Sequence, residues 1–223
     1  MNYKKLFSLF LFVAVGILNA QECVYWHDYK LSNAGTIIVS NCLEEQSAEY
    51  AKAKEKDHDV MGVVLAKDRV VFQKKGTNAK YPNIEINHTF ISVSTKKMMN
   101  PGAFPKINSD KLFSDTELKV FANQIKEVNS SNPNLQIISY DPVKQIKIRD
   151  QNAIKISFTS KIRNINDEPS KTIIYMIPNY DRLHSININY LISEEEKWGP
   201  IFQHMVNSLY IAYRNGDNFN LTP

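Results

Sequence analysis

The feature that most constrains the fold is the alternation of residues along the segment from Ala153 to Ile165. In an extended chain, successive side chains point to opposite sides. Here one side carries apolar residues and the other carries polar ones. The apolar set is Ile154, Ile156, Phe158 and Ile162. This period of two predicts an antiparallel strand with one buried face and one solvated face.

Short turn sequences separate this strand from similar segments on both sides, which predicts a meander. The turns are rich in Asp, Asn and Pro, residues that favour chain reversal. The other predicted strands are 60–66, 69–74, 84–94, 135–140, 143–149, 171–177 and 183–192, with a last short strand at 209–213 that closes the sheet. Antiparallel strands in such numbers indicate one sheet that needs helices to cover it.

Two amphipathic helices are predicted, one before the meander and one after it. Ser114 and Glu117 have the spacing of a capping box, and so do Ser193 and Glu196. The apolar faces are Leu118, Phe121, Ala122, Ile125 and Val128 in the first helix, and Trp198, Ile201, Phe202, Met205, Val206 and Leu209 in the second. Pro200 predicts that the second helix begins near Trp198 or is kinked. The expected fold class is therefore α+β, an antiparallel sheet meander packed by helices.

The chain has two cysteines, Cys23 and Cys42, so only one pairing is possible. Residues 24–31 and 36–40 flank a turn sequence, and a hairpin there brings the two sulfur atoms to the same end. A polar helix over 43–56 is then expected, with Asn41 as its cap and Glu44 completing a capping box. These elements predict a small disulfide-linked N-terminal appendage.

The first twenty residues predict a secretory signal peptide. Two lysines precede an apolar run from Leu6 to Leu18, and Ala20 places a small residue at a cleavage position. The run of about 13 residues is shorter than the 20 or so that a membrane-spanning helix needs. Lipidation of the first cysteine is disfavoured because Gln21 and Glu22, rather than small residues, precede it. We expect an exported protein, periplasmic or extracellular in a bacterium, with no transmembrane span in the mature chain.

The expected organisation has four parts. Residues 1–20 form the signal peptide, and residues 21–59 form the disulfide hairpin and the polar helix. Residues 60–213 form the α+β domain, and residues 214–223 form a flexible tail.

The sequence lacks the common catalytic and ligand-binding motifs. Its seven glycines include no pair at the GxG spacing of a phosphate loop, and none of its five histidines begins an HExxH motif. The net charge of +4 is too small to indicate a nucleic-acid partner. We therefore expect no cofactor, no metal and no enzymatic activity, although a triad assembled from distant segments stays open. The Asp57-His58-Asp59 cluster is interpreted as a polar loop rather than a cation site.

Two groups of residues are candidate sites. The polar side of the alternating strand could meet an acidic partner, or it could be simply a solvated sheet face. It consists of Lys155, Ser157, Thr159, Lys161 and Arg163. The second group is a possible pocket formed by His184, Tyr190 and Trp198. His184 could act there as an acid or base, or it could be a strand-end histidine with hydrogen bonds to the backbone.

The C-terminal half resembles the PsbP-like superfamily. A capped helix leads into an antiparallel meander, the segment Tyr180 to Ile186 introduces the last long strand, and Trp198, Phe202 and Ser208-Leu209 lead to a short terminal strand. The similarity covers residues 71–213 and consists of element order and a few apolar anchors. It implies an α/β/α layered sandwich. Members of this superfamily mostly serve as binding or assembly modules, so the resemblance implies a binding role and supplies no catalytic residues.

Three functions follow as expectations. The first is an exported non-catalytic binding or assembly module of the cell envelope, whose partner is an unknown envelope protein. The alternative is a carrier of a small apolar ligand in a cavity between the sheet and the helices. The third is a hydrolase with a dispersed site, in which His184 would be the base.

Overall fold

The structure is a computed structural model that describes residues 23–32, 34–52, 69–80, 88–97, 113–163, 168–215 and 218–220. Its strands in the N-terminal half are β1 Trp26–Leu31, β2 Gly35–Ser40, β3 Leu43–Glu45, β4 Arg69–Lys74 and β5 Phe90–Lys97. After helix α1 (Asp115–Ser130) come β6 Leu135–Tyr140, β7 Lys144–Ile148, β8 Gln151–Ile162, β9 Ser170–Asn179 and β10 Arg182–Leu191. Helix α2 (Glu195–Ser208) leads to β11 Tyr210–Ile211, β12 Tyr213–Asn215 and β13 Asn218–Asn220. Short 3₁₀ turns lie at Asn78–Lys80 and Ile192–Glu194.

The central element is an eight-stranded antiparallel sheet in the order β3-β4-β5-β10-β9-β8-β6, with β7 also paired to β8. The predicted meander is confirmed, because β8, β9 and β10 are neighbours in both chain and space. A tight turn joins β9 and β10, and another joins β7 and β8. Tyr180 and Arg149 adopt left-handed φ values of 57° and 56° at the β9–β10 and β7–β8 reversals. The α+β class is therefore confirmed, with antiparallel strands packed against helices.

One side of the large sheet, the α2 face, carries the densest core. Tyr175, Ile177, Ile186 and Ile188 point to this side and are almost fully buried. Trp198, Phe202 and Met205 of α2 cover them, together with the small sheet β1-β2-β11. Burial of so many large side chains supplies the main driving force for folding.

Helix α2 begins at Glu195, so the prediction of a start near Trp198 is wrong and Pro200 lies inside the helix. The capping box predicted at Ser193 and Glu196 is also wrong. Ser193 lies in the 3₁₀ turn, and the N-cap residue, Glu194, makes no side-chain capping bond. The apolar stripe of this helix is confirmed, because its members are buried on the sheet.

The disulfide between Cys23 and Cys42 is confirmed, and it closes the β1–β2 hairpin with a sequence separation of 19. The helix predicted over 43–56 is wrong at its start. Leu43–Glu45 forms strand β3, which pairs with β4, and among the described residues of this segment 48–52 are helical. Leu43 is buried beside the disulfide, so pairing with the large sheet overrides the local helical pattern. Asn41 lies in a turn before this strand and caps no helix.

The N-terminal hairpin shares sheets and core with the rest of the described chain. Strand β2 pairs with β11, and a Cβ atom on Gly35 would overlap the carbonyl oxygen of Tyr210. Only glycine permits so close an approach of two backbones. The last short strand therefore joins β2, whereas the sequence predicted that it would close the large sheet. The predicted domain boundary between residues 59 and 60 lies outside the described residues.

Helix α1 has the predicted capping box. Ser114 Oγ accepts from the Glu117 backbone N–H, and Glu117 accepts from the Ser114 backbone N–H. Its apolar face is less buried than the sequence suggests, because none of its residues is fully buried and Val128 is 65% exposed. Helix α1 is therefore a thin outer layer over the side of the sheet opposite α2.

Several predictions lie outside the described residues. They concern the signal peptide at 1–20, the Asp57-His58-Asp59 loop and the strand at 60–66. The strand predicted at 84–94 is observed as Phe90–Lys97. In the part of the tail that the structure describes, β12 pairs with β13. No helix among the described residues is long and apolar enough to cross a membrane.

Candidate functional site

The polar side of β8 lies on the α2 face of the large sheet, beyond the area that α2 covers. The strand register adds charged residues from both neighbouring strands. Lys144 of β7 is directly opposite Lys155, and Lys171 of β9 is directly opposite Thr159. Directly paired residues of antiparallel strands point to the same side of a sheet. The cluster Lys144, Lys155, Lys161 and Lys171, with Asp141 at its edge, is called the basic face below.

Asp141 binds two members of this side of the sheet. It accepts hydrogen bonds from Ser157 Oγ and from Lys171 Nζ, the latter at 2.6 Å. These hydrogen bonds, with the positive charges of Lys171 and Lys155, hold the pKa of the Asp141 carboxyl below its usual value of 3.8. Asp141 therefore stays ionised at neutral pH and neutralises Lys171, while the other lysines of the basic face keep their charge.

Lys144 and Lys155 carry like charges at directly opposed positions, an arrangement that is unfavourable for a sheet. Lys155 Nζ lies 5.8 Å from the centre of the Tyr175 ring, which offers a partial cation–π compensation. An acidic group bound over the pair would relieve the repulsion. The arrangement is therefore chemically suited to an anionic partner.

The predicted partner residues do not all share this surface. Ser157 is only 4% exposed because Asp141 covers its hydroxyl, while Lys155, Thr159 and Lys161 are half-buried. Arg163 follows the end of β8 and lines a groove beside α1. The sequence missed Lys144, Lys171 and Asp141 because their position on this face depends on strand register.

The groove beside Arg163, called the α1–β6 groove below, has a volume of about 580 Å³. It lies between the C-terminal half of α1 and strand β6. Its lining residues include Lys126, Asn129, Leu135, Ile137, Tyr140 and Arg163. Asn129 Nδ2 donates to the Tyr140 hydroxyl at 3.3 Å, and Lys126 Nζ lies 5.5 Å from the centre of the Tyr140 ring. A smaller hollow of about 280 Å³ shares Lys126 and Tyr140 and extends to Asp141.

His184 is buried at 1% exposure on the α2 face. Its Nε2 lies 3.2 Å from Asn179 Nδ2, and its Nδ1 lies 2.8 Å from Thr95 Oγ1. With the Asn179 amide in this orientation its NH₂ group can only donate, so Nε2 accepts and Nδ1 carries the proton that is donated to Thr95. Both ring nitrogens of His184 are therefore engaged by neighbouring side chains.

Tyr190 and Trp198 lie apart from His184. Tyr190 lies six positions after His184 on strand β10, a distance of about 20 Å along an extended chain. Tyr190 stacks on Phe202 with ring centres 6.2 Å apart, and Trp198 does so at 5.8 Å. The Tyr190 hydroxyl donates to Glu195 Oε1 at 3.2 Å, and burial together with the negative charge of Glu195 raises the pKa of Tyr190. The structure therefore places these two aromatic residues in the core between α2 and the large sheet, and it does not bring the predicted pocket together.

Comparisons with known proteins show a distant similarity in fold. No protein-family model matches the sequence, and no curated protein does. The solution structure of cyanobacterial PsbP (CyanoP) from Synechocystis sp. PCC 6803 is similar with a TM-score of 0.48 and 13% identity, covering 83% of this chain and 92% of that one. A crystal structure from Bacteroides thetaiotaomicron VPI-5482 is similar with a TM-score of 0.44 and 7% identity, covering 86% of this chain but only 49% of that one.

Proposed function

We propose that the protein is an exported, non-catalytic binding module of the cell envelope whose basic face meets an acidic surface of another envelope protein. The observation that carries the proposal is the register that gathers Lys144, Lys155, Lys161 and Lys171 on one side of the sheet. The disulfide between Cys23 and Cys42 supports export, because such bonds persist in oxidising compartments.

The excess of positive charge on the basic face favours the binding of an acidic protein surface. One carboxylate, Asp141, faces four ammonium groups, and it is already occupied by Lys171. Complementary charge accelerates association and selects the partner more than it adds affinity. The interaction is therefore expected to weaken with salt, since the Debye length falls from about 10 Å at 0.1 M to about 3 Å at 1 M.

The test compares capture of an envelope protein by the natural chain and by a variant. The variant carries Lys144→Glu, Lys155→Glu and Lys161→Glu, and the matched control carries Lys119→Glu at an exposed position of α1. Both are cross-linked mildly in an envelope fraction, and captured proteins are quantified by mass spectrometry. We expect one partner to be recovered with the natural chain and the control, and to fall by about tenfold or more with the triple variant.

Two outcomes would contradict the proposal. One is recovery of no specific partner under cross-linking, and the other is equal recovery by the triple variant. Circular dichroism and thermal unfolding show beforehand that the variant keeps its fold. All three substitutions lie at exposed or half-buried positions, so a folded variant is expected.

The ligand carrier ranks second for a physical reason. The apolar side chains that α2 turns toward the large sheet, including Trp198, Phe202 and Met205, are almost fully buried, so the described part of this layer is filled. The larger of the two hollows seen among the described residues lies beside α1 and is lined partly by amides and cations. Native mass spectrometry of the purified protein tests the carrier, because a bound apolar ligand would appear as added mass.

The hydrolase ranks third. A general base needs a ring nitrogen in reach of its substrate, and both nitrogens of His184 are engaged by Thr95 and Asn179. An esterase, phosphatase and peptidase screen tests this alternative. Activity that disappears in a His184→Ala variant that still folds would support it over the binding module.

A further inference from the structure

We infer that the α1–β6 groove takes an extended acidic segment of the partner protein, which adds as a strand to the outer edge of β6. This inference rests on the proposed binding function, and it specifies the form in which the partner is recognised. It joins three observations, namely an open strand edge, a groove beside that edge, and an excess of positive charge around the groove.

The first observation is the edge itself. In the part of the chain that the structure describes, β6 is a terminal strand of the large sheet and pairs only with β8. Natural sheets protect such edges with charged residues, prolines or bulges. The segment Leu135–Tyr140 has the sequence LQIISY, with no charge and no proline. It has only the irregularity at Ile138, whose side chain is 50% exposed. The edge is therefore available for main-chain pairing.

The second observation is the groove. A strand added to β6 would lie about 4.8 Å from it and would project alternate side chains toward the groove. The groove volume of about 580 Å³ is sufficient for several side chains. Leu135 and Ile137 provide apolar contacts, and Asn129 and Gln136 provide polar ones. A helix beside an open strand edge is a geometry in which an extended peptide gains affinity from its backbone and specificity from its side chains.

The third observation is charge, and it decides the occupant. Lys126 and Arg163 line the groove, and no acidic residue is among its lining residues. Lys161 of the basic face is directly opposite Gln136 of β6, which also lines the groove, so positive charge lies on both sides of this strand edge. An acidic segment would be attracted along this whole path, whereas a basic one would be repelled.

The test selects linear peptides from a phage-displayed random library on the purified protein. Enriched peptides are then synthesised, and their binding is measured by fluorescence anisotropy. We expect the enriched sequences to combine alternating apolar residues with Asp and Glu. A Lys126→Glu, Arg163→Glu variant should bind them at least about tenfold more weakly, while the Lys119→Glu control should bind as the natural chain does.

Two further measurements separate strand addition from simple charge attraction. Hydrogen exchange should slow at alternate amides within residues 137–140 when the peptide binds, because the N–H groups that point away from β8 gain hydrogen-bond partners. Two peptides are then compared, one methylated on the backbone nitrogens of its odd positions and one on those of its even positions. One of them should no longer bind and the other should bind unchanged, because only every second N–H of an added strand points to β6.

The inference is overturned if no peptide is enriched, if the enriched peptides lack an acidic bias, or if the double variant binds them equally well. It is also overturned if the amides of β6 gain no protection. The proposed function fails separately. Loss of partner capture by the Lys144, Lys155 and Lys161 variant, with no effect of Lys126→Glu and Arg163→Glu, would keep the binding module and reject the strand addition.

Discussion

Replacement of Asp141 by asparagine tests the electrostatics of the basic face most directly. Asp141 precedes Pro142 in the β6–β7 connection and joins β8 and β9 through Ser157 and Lys171. Asparagine has nearly the same shape and keeps one acceptor oxygen, but it removes the negative charge. Any difference between the two proteins therefore reports the charge rather than the packing.

The expected loss of stability follows from the geometry of the Asp141–Lys171 pair and from its exposure to solvent. A hydrogen bond to a charged group contributes about 1.5–3 kcal/mol when it is protected from solvent. The Asp141 side chain is 47% exposed and that of Lys171 is 19% exposed, so water screens much of this energy. Exposed ion pairs contribute about 0.2–1 kcal/mol. We expect Asp141→Asn to lower the free energy of unfolding by about 1 kcal/mol at neutral pH.

The pH dependence has a definite sign. The pKa of Asp141 is lower in the folded state than its usual value of 3.8. A depressed carboxyl pKa contributes stability that is fully present above the unfolded-state value and is lost as pH falls through the folded-state value. The stability difference between the natural chain and Asp141→Asn should therefore be full at neutral pH and shrink steadily below pH 3.8.

The assay is urea unfolding at about pH 7 and about pH 2.5, followed by circular dichroism. A double-mutant cycle with Lys171→Met isolates the pairwise energy, because methionine keeps most of the apolar stem and removes the charge. A loss that is the same at both pH values would refute the reasoning. So would strict additivity of the two substitutions, since it would mean that Asp141 and Lys171 do not interact.

Three further predictions concern the fold. Reduction of the Cys23–Cys42 disulfide, which has a sequence separation of 19, should cost about 3 kcal/mol in guanidinium unfolding, and a loss below about 1 kcal/mol would contradict it. Phe202→Ala should lower the free energy of unfolding by about 3–5 kcal/mol, measured by thermal unfolding, because the ring is buried between Tyr190 and Trp198. The control Val128→Ala, at an exposed site, should change it by less than about 0.5 kcal/mol. Burial, and then a hydrogen bond to Glu45, raise the pKa of Tyr29 to about 12, so this tyrosine contributes stability that is present below pH 10 and lost as pH rises through about 12. Tyr29→Phe should lack that part of the alkaline loss, and equal pH profiles of the two proteins would exclude it.

Local sequence patterns correctly predicted the elements that depend on residues close together in the chain. The alternation in β8 predicted an antiparallel strand, and Ile154 and Ile156 are buried as expected. The Ser114 and Glu117 spacing predicted a capping box that the structure contains. Only one pairing was possible for two cysteines, and it is the one observed. Each of these inferences depends only on residues a few positions apart in the sequence, or on the number of cysteines.

Predictions failed where distant segments compete with local preference. The segment beginning at Leu43 has helix-forming residues and a capping pattern, but it pairs with β4 as a strand. The short strand β11 joins β2, with Tyr210 opposite Thr36 and Ile211 opposite Gly35, so the partners lie 174 and 176 positions apart in the sequence. A local pattern carries no information about such partners, because the free energy of pairing comes from hydrogen bonds and burial that form only on folding.

The amino-acid sequence by itself determined the period of each strand, the capping of α1, the disulfide and one half of the basic face. The tertiary structure alone decided which strands are adjacent, and thereby placed Lys144 and Lys171 beside Lys155 and Thr159. Among the described residues, it also leaves the edge of β6 next to α1 without a neighbouring strand. The physical reason is that side-chain direction follows from the local backbone, whereas register follows from the burial of the whole sheet.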